Sequence, residues 1–315
     1  MQKLLPKARI HDFIKNLMKN YEVIAPVKEK ITKFKVISSP EEIYLKEITQ
    51  VPIKQFFLPE NETLIDYKKS NLHANKDKTL QRVIFGLRKC DTNALLVLDK
   101  IMIDPLYIHK RKKSILIGLY CENPDKYCFC SSMELVDSYD LFFYPEGNNY
   151  HISIGSKEGE ALVKNLPKAK KEVIKPFINT KVLKNKSIEK DYKNKIWLTD
   201  VEKCLSCSAC TVYCPTCNCF DISDKLNINL KDSSRARFQA SCQLKSFSRV
   251  AGGKVFRDSR ASRFKHFIYH KIIYYKNKYN KYMCVGCGRC LRVCPTNIDW
   301  VNTINLLKNT GKNKK

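Results

Sequence analysis

The sequence predicts an α+β protein, in which a mixed α/β domain at residues 1–166 precedes a cysteine-rich domain at residues 197–315. Buried strand patterns alternate with helical patterns in the first domain, as in mixed α/β folds. Two cysteine runs of identical spacing lie in the second domain, and a basic, aromatic helical segment, Arg260–Asn280, lies between them. The lysine-rich residues 167–196 have little periodicity and predict a partly helical, solvated linker.

The elements of the first domain follow from apolar spacing and from helix caps. Residues 6–20 place apolar side chains at helical spacing, which predicts an amphipathic helix. Turn and helix-cap residues begin the segment Glu60–Tyr67, and Asp91 and Thr92 open a helix after a buried strand. Ser156–Leu166 begins with a serine and glutamate cap and predicts another helix. Strands are predicted at Tyr21–Val27, Thr32–Ile37, Ile43–Leu45, Gln81–Leu87, Ser114–Tyr120, Asp140–Tyr144 and Tyr150–Ile154.

The two cysteine runs predict a pair of iron–sulfur clusters. They read CLSCSACTVYCP and CVGCGRCLRVCP, and both have the spacing C-x₂-C-x₂-C-x₃-C-P that holds [4Fe–4S] clusters. In two-cluster ferredoxins the fourth cysteine ligates the other cluster, so we expect a ferredoxin-like domain with crossed ligands and a helical insertion. The first cluster is predicted at Cys204, Cys207, Cys210 and Cys294. The second is predicted at Cys284, Cys287, Cys290 and Cys214.

Zinc sites and disulfides are the alternatives for these runs. Zinc ribbons use two C-x₂-C pairs separated by a long gap, without the third cysteine and the proline. The sequence begins without the apolar region of a signal peptide, although the chain has 15 cysteines. Cysteine usage of this kind indicates a reducing compartment and metal ligation, so we expect a protein of the cytoplasm, in an anaerobe.

Four further cysteines lie at the ends of successive predicted strands: Cys90, Cys121, Cys128 and Cys130. Strand ends on one edge of a sheet converge, and four thiolates suffice for one cluster, so these residues predict a third iron–sulfur site. Asp91 is an alternative ligand because it is adjacent to Cys90. The other interpretation is a set of buried free thiols, which are common in protein cores.

Three more cysteines lie beside the paired runs: Cys217, Cys219 and Cys242. They predict either a metal site that takes a ligand other than cysteine or thiols that are packed without a redox role. His266 and His270 have the spacing of one helix face, but no H-E-x-x-H motif accompanies them. We therefore expect these histidines to form a polar face near the clusters.

The composition of the chain and the motifs that it lacks exclude several classes of function. The formal charge is +27, but lysine is spread through every segment, so we expect an acidic protein partner and no nucleic acid. No apolar run approaches the length of a membrane span. The chain has no Walker loop and no G-x-G-x-x-G after a strand, and no residue is predicted to be catalytic. A docking face for the partner is predicted at Arg260, Arg263 and Lys265.

Several segments resemble one family of iron–sulfur subunits. CPTCNCF, SCQ, AGGKVFR, RFKHFIYHK and the second cysteine run resemble the beta subunit of sulfhydrogenases, and they are equally similar to the corresponding iron–sulfur subunit of anaerobic sulfite reductase. RKCDTNALLVLDK and YCFCSSM resemble the first domain of the same family. The resemblance implies an electron-transfer subunit between a flavin subunit that reacts with NAD(P)H and a hydrogenase or sulfite reductase catalytic subunit. The alternative is a stand-alone oxidoreductase that binds flavin or substrate in its N-terminal domain.

Overall fold

The computed structural model describes residues 2–68, 71–228 and 231–307. The predicted mixture of sheets and helices is confirmed, and the chain forms two compact units. Unit 1 comprises Met1–Phe57, Asp77–Lys126 and Leu135–Asn179, and unit 2 comprises Leu58–Lys76, Tyr127–Glu134 and Thr180–Lys315. This division differs from the predicted continuous domains, because two segments of the first 166 residues are grouped with the cysteine-rich unit. The predicted disordered tail, 311–315, lies outside the described residues.

The chain contains strands in both units. In chain order the strands are β1 (Gln2–Pro6), β2 (Glu22–Lys28), β3 (Thr32–Val36), β4 (Asn61–Lys68), β5 (Asn71–Ala74), β6 (Arg82–Leu87), β7 (Ser114–Leu119), β8 (Leu141–Glu146), β9 (Asn149–Ile154), β10 (Phe220–Leu226) and β11 (Ser233–Gln239). The strand predicted at Ile43–Leu45 is reduced to one bridge between Val27 and Ile43.

The α-helices are α1 (Ile10–Met18), α2 (Lys89–Asp99), α3 (Pro105–Lys112), α4 (Lys157–Val163), α5 (Trp197–Lys203), α6 (Ala209–Val212), α7 (Arg260–Tyr269), α8 (Tyr275–Tyr279), α9 (Arg289–Arg292) and α10 (Trp300–Leu306). A π-helical turn, His270–Tyr274, joins α7 to α8. Among the described residues, no helix has both the length and the apolar character needed to cross a membrane.

Unit 1 is built on a seven-stranded sheet with the order β1-β9-β8-β7-β6-β2-β3. The central strands β2, β6, β7 and β8 are parallel, whereas β1, β9 and β3 pair in antiparallel fashion. Strands β6 and β7 are buried along their whole length, as parallel strands are when both faces of the sheet are covered. Helix α1 buries Phe13, Ile14 and Leu17, which confirms the predicted amphipathic helix.

Unit 2 combines an antiparallel sheet of the order β10-β11-β4-β5 with the short helices of the cysteine runs. The helical insertion is confirmed, because α7, the π-helical turn and α8 together extend from Arg260 to Tyr279. The cap predicted at Glu60–Tyr67 is wrong, since these residues contribute to β4, which pairs with β11. Strands β10 and β11 carry charged, exposed side chains, and their pattern predicts no strand.

The segment 167–196, predicted to be a partly helical and solvated linker, has mostly exposed residues but is anchored at several positions. Its helical content is one 3₁₀ turn, Glu189–Asp191. In unit 1 the Gln2 side chain bonds both the N–H and the carbonyl oxygen of Val173 at 2.8 Å. In unit 2 the Asn185 amide donates to the Leu307 carbonyl oxygen at 3.2 Å, and Ile188 is completely buried.

Candidate metal centre

The two cysteine loops adopt matching backbone conformations. Ser206 and Ser208 of the first loop have φ of 53° and 69°, and Gly286 and Gly288 at the equivalent positions of the second loop have φ of 66° and 71°. A short helix follows at the same position of each loop, α6 in the first and α9 in the second. Non-glycine residues rarely adopt this left-handed conformation, so its presence at both serines indicates that the loop geometry itself is required.

One cavity in unit 2 brings the fourth cysteine of the second loop to the first loop. Its lining contains Cys204, Cys207, Cys210 and Cys294, which are the four residues predicted to hold the first cluster, and also Cys290, which is predicted for the second. Aromatic and aliphatic side chains complete the wall: Phe264, Phe267, Ile298 and Trp300. Burial raises the pKa of the Cys210 thiol to about 12, because desolvation disfavours the thiolate unless a cation or metal compensates it.

The fourth cysteine of the first loop lies near the second loop. Burial, with smaller contributions from the charges of Cys287 and Cys214, raises the pKa of Cys284 to about 12, although Lys271 and the N–H of Gly286 act in the opposite direction. Burial also raises the pKa of Cys290, with Cys284, Cys287 and Cys214 adding to the effect. The charge of Cys214 also raises the pKa of Cys210, so Cys214 lies near thiols of both predicted groups.

Each cysteine loop supplies hydrogen-bond donors to its own sulfur atoms. The backbone N–H groups of Ser206 and Gly286 donate to Cys204 Sγ and Cys284 Sγ, both at 3.4 Å. The N–H of Ile298 donates to Cys294 Sγ at 3.4 Å. The side chain of Trp300 adds a donor, since its Nε1 lies 3.5 Å from Cys290 Sγ. Such donors stabilise negative charge on ligand sulfur and are among the features that set cluster potentials.

These observations fit two [4Fe–4S] clusters. Cubanes of this type are held by four thiolates, and the two cysteine loops together supply eight. The exchange of the fourth cysteine between the loops stays a prediction, because Cys290 lines the cavity beside Cys294 and Cys214 influences both Cys210 and Cys284. Within the described parts of the chain, no three His, Cys, Asp or Glu side chains are arranged to hold one metal ion. None of the 15 cysteines forms a disulfide.

A buried lysine lies among the cysteines of the second group. Lys271 is 3% exposed, and its Nζ hydrogen-bonds Thr216 Oγ1 at 3.2 Å. The carbonyl oxygen of the same residue accepts the N–H groups of Met283 at 3.0 Å and Cys284 at 3.4 Å. Burial alone lowers the pKa of a lysine, but the charges of Cys214 and its neighbours raise the pKa of Lys271 well above its usual value.

The segment Tyr127–Glu134 packs on the second loop, a contact that no sequence pattern predicted. The N–H of Phe129 donates to the Gly286 carbonyl oxygen at 2.8 Å, and the Cys128 thiol donates to the Cys287 carbonyl oxygen at 3.6 Å. The Phe129 ring meets Trp300 edge to face, with 5.6 Å between ring centroids. Cys128 and Cys130 are thereby placed beside the second loop.

The predicted third site remains a prediction. Cys90 and Cys121 follow the carboxyl ends of the adjacent strands β6 and β7 in unit 1, where the Arg88 guanidinium donates to the Tyr120 carbonyl oxygen at 2.7 Å. Asp91 Oδ2 accepts the N–H of Arg88 at 3.0 Å and so caps α2. Cys128 and Cys130 belong to unit 2.

Of the three cysteines beside the runs, two form a pair. The thiols of Cys219 and Cys242 are hydrogen-bonded, which is the largest cause of the raised pKa of Cys242. The N–H of Ala240 donates to the Cys219 carbonyl oxygen at 3.0 Å and holds the two chain segments together. Cys217 lies near Lys271 instead. A metal site at Cys217, Cys219 and Cys242 stays a prediction.

The two histidines of the insertion stack on each other. The ring centroids of His266 and His270 are 5.6 Å apart, and burial lowers the pKa of each to about 4. Both imidazoles are therefore neutral at neutral pH and add no positive charge near the cysteines.

The structure narrows the predicted docking face. Arg263 is buried, and its guanidinium donates to the carbonyl oxygens of Gln243 at 2.9 Å and Asp258 at 2.6 Å, so it offers no surface charge. Lys265 is half-buried and donates to the Tyr192 carbonyl oxygen at 3.0 Å. Of the three predicted residues, Arg260 is exposed.

Comparisons with known proteins agree with this geometry. Residues 203–298 match the family model of the 4Fe-4S dicluster domain. The chain is 29% identical to sulfhydrogenase 2 subunit beta of Pyrococcus furiosus over 321 aligned residues, which cover 93% of this chain and 94% of the relative. No solved structure matches the chain. The dicluster domain predicted from the cysteine runs is thus confirmed, and almost the whole length of the chain resembles a sulfhydrogenase beta subunit.

Proposed function

We propose that this protein is an electron-transfer subunit that relays electrons through two [4Fe–4S] clusters held by crossed cysteine sets. The observation that carries the proposal is the cavity at which Cys294 and Cys290 of the second loop meet Cys204, Cys207 and Cys210 of the first. The likeness to a sulfhydrogenase subunit supports the same role, since that relative is by name one part of a larger enzyme.

The residues of the chain are suited to hold one-electron carriers. When bound, a [4Fe–4S] cluster supplies a centre that accepts and releases single electrons. The thiolates of the two loops would hold it, and N–H donors from Ser206, Gly286 and Trp300 would stabilise charge on the ligand sulfurs. Apolar side chains would form much of the surrounding wall. We assign Cys210 and Cys214 to different clusters, although Cys210 lies in α6 and Cys214 follows two residues after the end of this helix. The path along the chain between the two proposed clusters is therefore short.

The proposal also includes two partner subunits, one on each side of the electron relay. We expect electrons to pass between a flavin-containing subunit that reacts with NAD(P)H and a catalytic subunit of the hydrogenase or sulfite reductase type. With 15 free thiols, the chain suits the reducing cytoplasm. Positive charge near the cysteine loops favours acidic partner surfaces, because complementary charge accelerates association.

The second candidate, a stand-alone oxidoreductase, would need a flavin or substrate site in unit 1. An open cleft with a volume of about 910 Å³ lies there, lined by residues that include Gln81, Ser114 and Asp140. These three residues lie at the amino ends of β6, β7 and β8, whereas ligands of open α/β sheets bind at the carboxyl ends. The position of the cleft therefore favours the electron-transfer role.

The test uses the full chain, reconstituted with iron and sulfide under anaerobic conditions. The proposal predicts about eight irons per chain, the content of two cubanes, and no bound flavin. NAD(P)H is expected to reduce the clusters when the flavin subunit is added and to leave them oxidised when the chain is alone. Steady oxidation of NAD(P)H by the isolated chain would instead support the stand-alone enzyme.

A further inference from the structure

The two cysteine groups differ in the buried positive charge around them. Arg289 of the second loop lies between Cys287 and Cys290 and is completely buried, and Lys271 is 3% exposed. At the position equivalent to Arg289, the first loop has Ala209, an uncharged residue. The similar backbones of the loops therefore place their cysteines in different electrostatic surroundings.

Lys271 is held between the two chain segments that supply the second cysteine group. Its Nζ bonds Thr216, which lies two residues after Cys214, at 3.2 Å. Its carbonyl oxygen accepts the N–H of Cys284 at 3.4 Å. Side chain and backbone of one residue thus contact both segments, which fixes the ammonium close to the cysteines.

The local helix geometry supports a specific role for this position. Lys271 is the second residue of the π-helical turn His270–Tyr274 between α7 and α8. Single π-helical turns within α-helices occur frequently at functional sites, since they change which side chains face inward. Here the inward side chains include a lysine, although burying an ammonium group is costly unless negative charge compensates it. Cluster thiolates supply such charge.

We propose that Lys271 is a tuning residue, which raises the reduction potential of the cluster held by Cys284, Cys287, Cys290 and Cys214 above that of the other cluster. A reduced cluster carries one more negative charge than an oxidised one, and a fixed cation nearby stabilises the reduced form. An electron that enters the chain therefore preferentially reduces the second cluster. This inference rests on the proposed pair of clusters.

The experiment compares variants of the reconstituted full chain by redox titration monitored by electron paramagnetic resonance. Lys271→Gln removes the charge but keeps a donor for Thr216, Lys271→Met is a second neutral variant, and Lys271→Arg keeps the charge. Lys276→Met is the matched control, because Lys276 lies nearby in α8 and hydrogen-bonds Tyr282 Oη at 2.7 Å. The signal altered by Cys284→Ser identifies the second cluster, whichever loop supplies its fourth ligand.

We expect both neutral variants to lower the reduction potential of the second cluster. At a given applied potential, the ratio of reduced to oxidised cluster should fall at least tenfold. For a one-electron couple this corresponds to about 59 mV. Lys271→Arg and Lys276→Met are expected to resemble the parent. Equal shifts of both clusters, or unchanged potentials in a neutral variant with full iron content, would overturn the assignment of Lys271. A parent chain without two clusters would instead refute the proposed function.

Discussion

Phe129 donates its backbone N–H to the carbonyl oxygen of Gly286 at 2.8 Å and thereby joins the segment Tyr127–Glu134 to the second cysteine loop. The contact is close enough that a Cβ atom on Gly286 would lie 2.6 Å from the backbone of Cys130. The conformation of the loop and the position of the segment therefore depend on each other.

Gly286→Ala is expected to destabilise unit 2 and to reduce its iron content. The residue has φ of 66°, and a left-handed conformation costs about 1–2 kcal/mol for a residue with a Cβ, in addition to the clash with Cys130. Thermal unfolding and iron analysis of the reconstituted chain measure the effect.

Gly252→Ala is the control for this prediction, because nothing lies within 4 Å of a Cβ built there. Ser206→Ala is a second control at the equivalent position of the first loop, where a Cβ is already present. If Gly286→Ala kept the stability and iron of the parent, the close packing of Tyr127–Glu134 on the loop would not matter for cluster assembly.

Features that depend on local patterns could be predicted from the sequence, whereas features that depend on distant contacts could not. The cysteine spacing predicts the dicluster domain, and the apolar runs predict β6 and β7, because parallel strands are buried on both faces. The sheet of unit 2 escaped prediction because β10 is largely exposed. Charged residues of this sheet find partners on neighbouring strands, as Arg237 on β11 does with Glu62 on β4.

The position of Tyr127–Glu134 is a second feature that local sequence patterns do not predict. The segment is followed in sequence by strands of unit 1, yet its contacts are with a loop more than a hundred residues later in the chain. No apolar period or turn residue marks such a contact. The two cysteines of this segment, Cys128 and Cys130, were singled out by their spacing, but the neighbouring loop was not.

Crossed ligation predicts that the fourth cysteine of each run affects the cluster of the other run. Cys214→Ala should alter the paramagnetic signal that Cys287→Ala alters, because both residues are predicted to ligate the second cluster and both influence Cys284. Cys294→Ala should alter the signal that Cys207→Ala alters, since both line the cavity at the first loop. If Cys214→Ala and Cys207→Ala changed the same signal, each run would hold its own cluster.

Trp300→Phe is expected to lower the potential of the cluster at Cys290 without loss of iron. The change removes the Nε1 donor, which lies 3.5 Å from Cys290 Sγ, and keeps an aromatic ring against Phe129. Fewer hydrogen bonds to ligand sulfur leave the reduced cluster less stabilised. Redox titration measures the change.

Trp197→Phe provides the matched control for the loss of an indole donor. Trp197 is also buried, but its Nε1 donates to the carbonyl oxygen of Asp191 at 2.8 Å rather than to a sulfur atom. This variant should lose about 1–3 kcal/mol of unfolding free energy, because one buried acceptor is left unpaired. The reduction potentials of its clusters should equal those of the parent. Equal potentials in Trp300→Phe and the parent would exclude the indole as a tuning donor.

The last prediction separates surface charge from buried charge on α7. Arg260 is exposed at the start of the helix, whereas Arg263, less than one turn later, donates to backbone carbonyl oxygens in the interior. Arg260→Gln should slow the second-order transfer of electrons to an acidic partner and flatten its salt dependence, because exposed charges steer association and are screened by salt. Iron content and unfolding temperature should equal those of the parent.

Arg263→Gln should lower the stability of the chain and leave the salt dependence of electron transfer unchanged, the reverse of what is expected for Arg260→Gln. Both changes nevertheless remove one positive charge from the same helix. The buried carbonyl oxygen of Gln243 would lose its charged donor, which costs about 1–3 kcal/mol of unfolding free energy, and the partly buried bond to the Asp258 carbonyl oxygen would be lost as well. The salt dependence should remain as steep as in the parent, since a buried and hydrogen-bonded guanidinium contributes little to steering. Stopped-flow rates at several salt concentrations and thermal unfolding distinguish the two variants. Flattened salt dependence in Arg263→Gln alone would place the docking face elsewhere than at Arg260.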